Sequence, residues 1–335
     1  MPRGWNPQQI LEEALAFQSS RLLLTAAELD LFTRLRARPL SAREISSTMG
    51  LDFRAADLLL HALVALGLLE ESPEGFRTPE PLARWLVSDS DESVLPMILH
   101  AASLWKRWGD LTGVIRRGRP EERDPWIERS PEERDAFIRA MHVVGRAMAP
   151  EIVAHIPLEG VGRLLDVGGA SGTYTIAFLE SKPDLRVTLF DLPPVIPLAR
   201  ERLERIGLLG RVDLVGGDFD QDPFPPGHDL AFLSAIVHQN DRAQNRTLFG
   251  KVRGSLVPGG TIVVRDHVME PSRNEPAAGA LFAVNMLVGT RGGSTYTFRE
   301  LQEDLERSGF HRVEWIRRGD RMDSLVIAAR PQVAE

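Results

Sequence analysis

The sequence predicts an α/β protein, a parallel sheet covered on both faces by helices and preceded by a mainly α-helical domain. Three patterns predict it. After Arg163 short apolar runs alternate with helical periodicity, the mark of parallel strands joined by crossover helices. Before Arg163 the apolar spacing is helical almost throughout. Within that first part, helix, turn, helix and hairpin follow one another as in a winged helix.

Residues 7–35 carry apolar side chains at helical spacing (Ile10, Leu11, Leu15, Phe17, then Leu22, Leu23, Ala26, Leu29, Phe32), enough for one or two amphipathic helices. Ser41 with Glu44 three residues on is a capping box, and Gly50 stops that helix near Met49. A second helix over 54–66 ends at Gly67, and 68–70 and 76–78 pair across a turn as the wing. The second helix offers base edges only Arg54, Asp57 and His61 and is otherwise apolar nearly all round, so it reads as a helix buried in a subunit interface, not as a reader of DNA. Residues 80–118 are helical in pattern, and 116–134 is dense in charge and proline, a solvated connection whose place would also suit a lid. Residues 137–156 are helical again, and Met141 and Met148, seven apart, fall on one face.

The alternating part gives strands at 164–167, 186–190, 212–215, 230–233 and 261–265, with helices to 181, over 195–206 and over 242–256. A helical pair at 277–288 and 298–308 precedes two apolar runs, 313–316 and 324–329, expected as an antiparallel hairpin on the sheet edge.

Bulk properties exclude several classes. A chain of 335 residues is long enough for two domains. A net charge of -7 argues against non-specific nucleic-acid binding, which needs a basic face. With no cysteine, disulfides, thiolate nucleophiles and cysteine-ligated metals drop out, and an intracellular protein is expected. The first residues lack a basic start followed by an apolar segment, and nowhere do eighteen apolar residues run together. A soluble, cytoplasmic protein with no membrane partner and no metal is therefore expected.

The stretch Leu164-Leu165-Asp166-Val167-Gly168-Gly169-Ala170-Ser171-Gly172-Thr173 reads as a strand, a glycine loop and a helix start. The dinucleotide spacing fails, because glycines would be needed where Ala170 and Thr173 stand, and no G-K-[ST] follows for a P-loop. What remains is D-x-G-x-A-x-G, in which Asp166 stands as a negative charge beside a loop that a ligand can approach closely. Such a loop repels pyrophosphate and attracts an ammonium, so S-adenosylmethionine (SAM), which has no phosphate and carries an ammonium and a sulfonium, suits it better than NAD or ATP. Asp191 closes the second strand, where an acid can accept both ribose hydroxyls, and Asp218 closes the third, within reach of an adenine amino group with Phe219 against the ring. His238 follows the fourth strand and Asp266 closes the fifth, the pairing a general base needs. His61, His142 and His267 are read as structural.

Together the run from Asp166 to Thr173, the segment Asp191-Leu-Pro-Pro-Val-Ile196, Gly217-Asp218-Phe219, His238 and Pro258-Gly259-Gly260 resemble the SAM-dependent O-methyltransferases typified by plant caffeic acid and bacterial hydroxyindole and polyketide methyltransferases. The resemblance implies a Rossmann-like class I SAM methyltransferase sheet behind a winged-helix dimerisation domain, with domains at 1–115 and 116–335 and helices 131–156 lining the acceptor pocket. It implies a homodimer and a cofactor held by Gly168, Asp191, Asp218 and Phe219, with Asp166, Gly172 and Ser234 completing that set. It implies that His238 deprotonates a small-molecule hydroxyl and is steadied by Asp266, and that Met141, Met148, Asn285 and Met286 line the acceptor pocket. The chain departs from the family's pattern after His238, where Gln239-Asn240-Asp241-Arg242 replaces Asp-Trp-Ser-Asp. It departs also at Ser234, often lysine, and at Thr295, aligned with a glutamate that helps hold the histidine. Those departures keep open a SAM-binding relative that does not methylate, and the winged helix keeps open a regulator that senses SAM. The two are separated from a methyltransferase by methyl uptake and by DNA binding respectively.

Overall fold

The computed structural model describes residues 4–121 and 131–332, apart from the side chains of 131–133. The chain divides into two compact units, Met1–Trp105 and Lys106–Glu335.

The first unit holds α1 (Pro7–Leu15), α2 (Phe17–Glu28), α3 (Leu31–Arg34), α4 (Ala42–Met49), α5 (Phe53–Ala65), the hairpin β1 (Glu70–Ser72) and β2 (Gly75–Arg77), and α6 (Glu80–Leu86). α4, α5 and the hairpin make the expected winged helix. The capping box forms as expected: Ser41 Oγ accepts the Glu44 N–H, and the Glu44 carboxylate accepts the Ser41 N–H. Phe32, Leu35, Ile45, Leu60, Leu63 and Phe76 make the core of this unit. α5 buries Ala56, Leu60 and Leu63 but leaves Phe53 and Leu58 exposed, so among the described residues it is covered on one side only. α1 has an apolar stripe and buries none of it. α7 (Leu95–Gly109) carries the chain from the first unit into the second, so the division falls inside a helix, short of the boundary expected at 115.

The second unit continues with α8 (Leu111–Arg117), α9 (Pro131–Arg146) and α10 (Ala149–Ala154). Residues 122–130 of the charged stretch, where a lid was considered, lie outside the described residues. Met141 and Met148 do not share one helix face as expected. Pro150 has no N–H to give the carbonyl of residue 146, α9 ends at Arg146, and Met148 becomes the N-cap of α10.

The alternating elements follow: β3 (Arg163–Val167), α11 (Thr173–Ser181), β4 (Arg186–Asp191), α12 (Ile196–Arg205), β5 (Val212–Gly216), β6 (His228–Ser234), α13 (Arg242–Ser255) and β7 (Leu256–Asp266). β8 (Val268–Met269), α14 (Ala277–Gly289), β9 (Tyr296–Thr297), α15 (Phe298–Arg307), β10 (His311–Arg317) and β11 (Ser324–Ala329) complete the chain. Seven strands form one sheet in the order β10-β11-β7-β6-β3-β4-β5, parallel except for β11, which runs antiparallel to both of its neighbours. β7 starts earlier than the sequence suggests and takes in Pro258-Gly259-Gly260, and the two-residue pair β8–β9 was not foreseen.

Alternate strand residues feed two cores. Leu164, Phe232 and Val263 pack with Ile152, Phe178 and Leu203 on the face of α10, α11 and α12. Leu165, Leu233 and Val264 pack with Phe249, Val252 and Leu305 on the face of α13 and α15. β3 therefore lies at the point where the strand order reverses, and the connections after β3 and β6 leave to opposite faces.

α13 and α15 are joined by a buried carboxylate. Asp304, its side chain 2% exposed, accepts Arg242 Nε at 2.7 Å and Nη2 at 3.0 Å and Arg246 Nη1 at 2.9 Å. Asp304→Ala removes the shared acceptor of two partly exposed arginines, of which Arg242 keeps Glu303 as a partner, and is expected to lower unfolding free energy by about 1–2 kcal/mol, with Asp304→Asn losing less. Urea denaturation midpoints check this, and an unchanged midpoint would refute it.

Candidate active site

β3 carries Asp166 near its end, and the loop to α11 turns through left-handed backbone at Gly168 (φ +68°), Ala170 (φ +49°) and Gly172 (φ +78°). A Cβ on Gly168 would stand 2.6 Å from Ile236 Cδ1, so glycine is what lets this loop close on the turn after β6. Ala170 is strained there and is held because its N–H donates to Asp191 Oδ2 at 2.8 Å. The other Asp191 oxygen accepts the Leu192 N–H at 2.7 Å. Asp191, half-buried, thus ties the glycine loop to the end of β4, and burial pushes its carboxyl up to about 6. Each oxygen keeps a lone pair for a ligand hydroxyl.

Asp166 does not stand open at the mouth as its place in the sequence suggests. It is 1% exposed and lies beneath the loop, where Thr175 Oγ1 donates to it at 2.6 Å, so it fastens the first turn of α11. Burial pushes it up to about 6, against the Thr175 hydrogen bond and helped by the charge of Asp191. Asp218 is half-buried after β5 and accepts the Asp220 N–H at 2.9 Å. Lys251 donates to the carbonyls of Phe219 at 3.0 Å and Asp220 at 2.7 Å, which holds Phe219 against the core beneath α13.

His238 sits in a 3-10 turn, Val237–Gln239, after β6. Its Nδ1 is 2.9 Å from both oxygens of Asp266, which is 1% exposed. A carboxylate there accepts a hydrogen bond from Nδ1–H, so Nε2 is left as the base. Burial alone would push Asp266 up, but the His238 charge and hydrogen bond and the His267 N–H, 2.8 Å away, hold it below the usual carboxylate range. The ring of Phe282 meets His238 edge-on at 4.8 Å between centroids.

The altered residues after His238 still build a pinned turn. Asn245 Nδ2 donates to the Val237 carbonyl at 2.9 Å, the Ser294 N–H to the His238 carbonyl at 2.8 Å, and the Tyr296 hydroxyl to the Asn240 carbonyl. A Cβ on Gly293 would lie 2.5 Å from the His238 carbonyl oxygen, a close approach with no sequence signal beyond the glycine itself. Thr295, in place of the expected glutamate, turns its hydroxyl to the Gly279 carbonyl at 3.2 Å. Asp241, not His238, caps α13.

Of the residues expected to line an acceptor pocket, Met286 is buried, and Met141 and Asn285 are half-buried. Asn285 Oδ1 accepts Trp108 Nε1 at 3.0 Å, a partner the sequence did not suggest. Ser234 Oγ accepts Arg265 Nη1 at 3.0 Å, and Arg265 Nη2 lies 2.9 Å from Met148 Sδ. His142, expected to be structural, touches the glycine loop: its Nδ1 is 2.9 Å from Thr173 Oγ1 and accepts from Arg202 Nη1 at 2.8 Å. Burial and then the charges of Arg202, Arg146 and Arg205 push it down to about 4, so it is neutral. Ionisable side chains at the same strand end were the visible signal; a neutral histidine anchored by an arginine sixty residues on was not.

The donor set fits SAM. Asp191 and Asp218 close adjacent strands as half-exposed acceptors, suited to hydroxyls and amines and hostile to phosphate. The comparisons with known proteins agree. The O-methyltransferase domain family matches residues 110–311, and the O-methyltransferase dimerisation domain family matches residues 11–89. The 3-hydroxy-5-methyl-1-naphthoate 3-O-methyltransferase of Streptomyces sahachiroi is 33% identical over 94% of this chain and 93% of that protein. The tetracenomycin polyketide synthesis 8-O-methyl transferase of Streptomyces glaucescens is 31% identical over 91% of each. The fold is that of human N-acetylserotonin methyltransferase, solved in complex with SAM, with a TM-score of 0.84 at 24% identity over 99% of this chain and 100% of that one. With both family matches spanning its two units and the glycine loop, strand-end acids and His238–Asp266 pair in place, the chain belongs to the SAM-dependent O-methyltransferase family.

Proposed function

We propose that the protein methylates a hydroxyl of a small aromatic or polyketide-like acceptor, with His238 as general base. The observation that carries this reading is the grip of both Asp266 oxygens on His238 Nδ1, which leaves Nε2 free for the acceptor proton. The naphthoate and tetracenomycin enzymes, similar to this chain over nearly its whole length, support the acceptor class.

When bound, SAM supplies an electrophilic methyl group whose bonding pair returns to sulfur. The chain's own residues do the rest. Asp191 and Asp218 take the nucleoside's hydroxyl and amine donors, and Gly168 lets the backbone approach. The acceptor O–H gives its proton to His238 Nε2 as the oxygen forms the new C–O bond, and the ionised Asp266 stabilises the resulting imidazolium. Alignment of oxygen and methyl contributes about 7–11 kcal/mol and the base about 3–5 kcal/mol, so positioning lowers the barrier more than His238 does.

His238→Ala should lower kcat about 100-fold or more at neutral pH, leave SAM affinity within about threefold, and recover as pH approaches the acceptor's own ionisation. Methyl transfer from labelled SAM to phenolic acceptors reads all three. An unaffected rate would remove the base assignment, and SAM bound intact while no acceptor gains a methyl would favour a non-methylating relative.

Asp166 and Asp191 titrate near 6, and the cofactor brings positive charge. Protonated below that value, Asp166 no longer attracts a cation from beneath the loop and Asp191 accepts hydroxyls less well, so SAM affinity should fall as pH drops from about 7.5 to about 5.5. Calorimetry at the two pH values checks the sign; equal affinities would contradict it.

We also propose a homodimer through the N-terminal unit. Ile10, Leu11, Leu15 and Phe17 are each more than half exposed, beside a groove of about 660 Å³ lined by Phe17, Leu22, Leu29, Leu51 and Leu59. Burying four such side chains is worth about 1.5–3 kcal/mol each before association costs. Light scattering should give twice 37.3 kDa. Leu11→Asp with Leu15→Asp should halve that mass, and a parent protein that runs as a monomer would end the proposal.

A further inference from the structure

Arg265, 3% exposed, lies at the end of β7 beside Asp266 but on the opposite face of the sheet, since side chains alternate along a strand. Its Cζ stands 5.1 Å from the centroid of the Tyr174 ring, and its Nη1 reaches Ser234. The remaining edge, Nε–H with Nη2–H, is the fork that takes a carboxylate side-on. Here that edge meets only the Met148 sulfur, and Nε has no hydrogen-bond partner among the described residues. The Tyr174 hydroxyl, buried beside Ser234, has no well-formed hydrogen bond either. Arg265 makes no ion pair with a described residue: Asp266 is engaged by His238, and Asp323, the other acid whose charge it feels, pairs with Arg317 at 3.2 Å.

A buried guanidinium without an anion is costly. A thioether is a weak acceptor on a side chain with three rotatable bonds, easily displaced. Burial holds Tyr174 above its usual pKa, so its hydroxyl stays a donor.

We propose that Arg265 and Tyr174 form a carboxylate-binding site at the ends of β6 and β7, the carboxylate taking the Nε/Nη2 edge in place of the Met148 sulfur. Two molecules could bring that group: the amino-acid portion of SAM, or an acceptor that is itself an aromatic acid. The inference rests on the methyltransferase reading for its ligands, but its test measures binding alone, so a failure of methyl transfer leaves the outcome readable.

Calorimetry on the full chain at neutral pH reads two affinity ratios: SAM over decarboxylated SAM, and a hydroxynaphthoic acid over the naphthol that lacks the carboxyl group. One of the two should be about 30 or more and should collapse to within about threefold of unity in Arg265→Leu. Arg265→Lys, which keeps the charge and loses the fork, should retain part of it. Tyr174→Phe, which keeps the ring stack, should lower it. Collapse of the first ratio assigns the site to the cofactor, and collapse of the second assigns it to the acceptor. Two ratios near unity in the unaltered protein overturn the proposal without any variant, as does a large ratio that the folded variants leave unchanged.

Discussion

The site depends on one topological constraint, the reversal of strand order at β3. The connection after β3 goes to one face of the sheet and the connection after β6 to the other, so the first residues of both loops flank the crevice at the strand ends. The glycine loop and the His238 turn meet there because they are the first segments past neighbouring strands, and the left-handed backbone at position 168, with Ile236 Cδ1 close by, favours glycine. Asp191 bonds to the glycine loop from its other side, at the end of β4, and fixes the shape of that loop.

The acids of this crevice behave in opposite ways for a physical reason. Asp166 and Asp191 are pushed up because burial is not matched by a cation, whereas Asp266, buried as deeply as Asp166, is held down by His238. The first two are suited to a cationic ligand; Asp266 is already committed to the histidine. On the opposite face Arg265 presents the mirror case, a buried cation whose surroundings supply a hydroxyl and a sulfur.

The unusual residues after His238 weaken neither the placement of the ring nor its carboxylate. The turn is held by Asn245 from the next helix and by Ser294 and the β9 residue Tyr296 far along the chain, bonds that a short motif can exchange as long as the carbonyls of residues 237, 238 and 240 keep a donor. Thr295 turns its hydroxyl to the Gly279 carbonyl and so closes its own loop. Asp266 therefore holds the imidazole with both of its oxygens.

Local pattern by itself determined which residues stand at strand ends. Apolar runs closed by Asp166, Asp191, Asp218, His238 and Asp266 announce both the strands and the edge where ligands bind, because side-chain period and loop composition are short-range properties. The capping box at Ser41 and the wing were legible for the same reason. Tertiary structure decided the pairings. Asp166 was drawn under its loop by Thr175, Met141 and Met148 were parted by a helix break, and α1 and α5 kept apolar faces uncovered within the chain. Arg265 met Met148 across 117 residues and forms no ion pair with a described residue. Contacts at that separation follow from strand order and from which face each connection takes, and neither is written in the spacing of nearby residues.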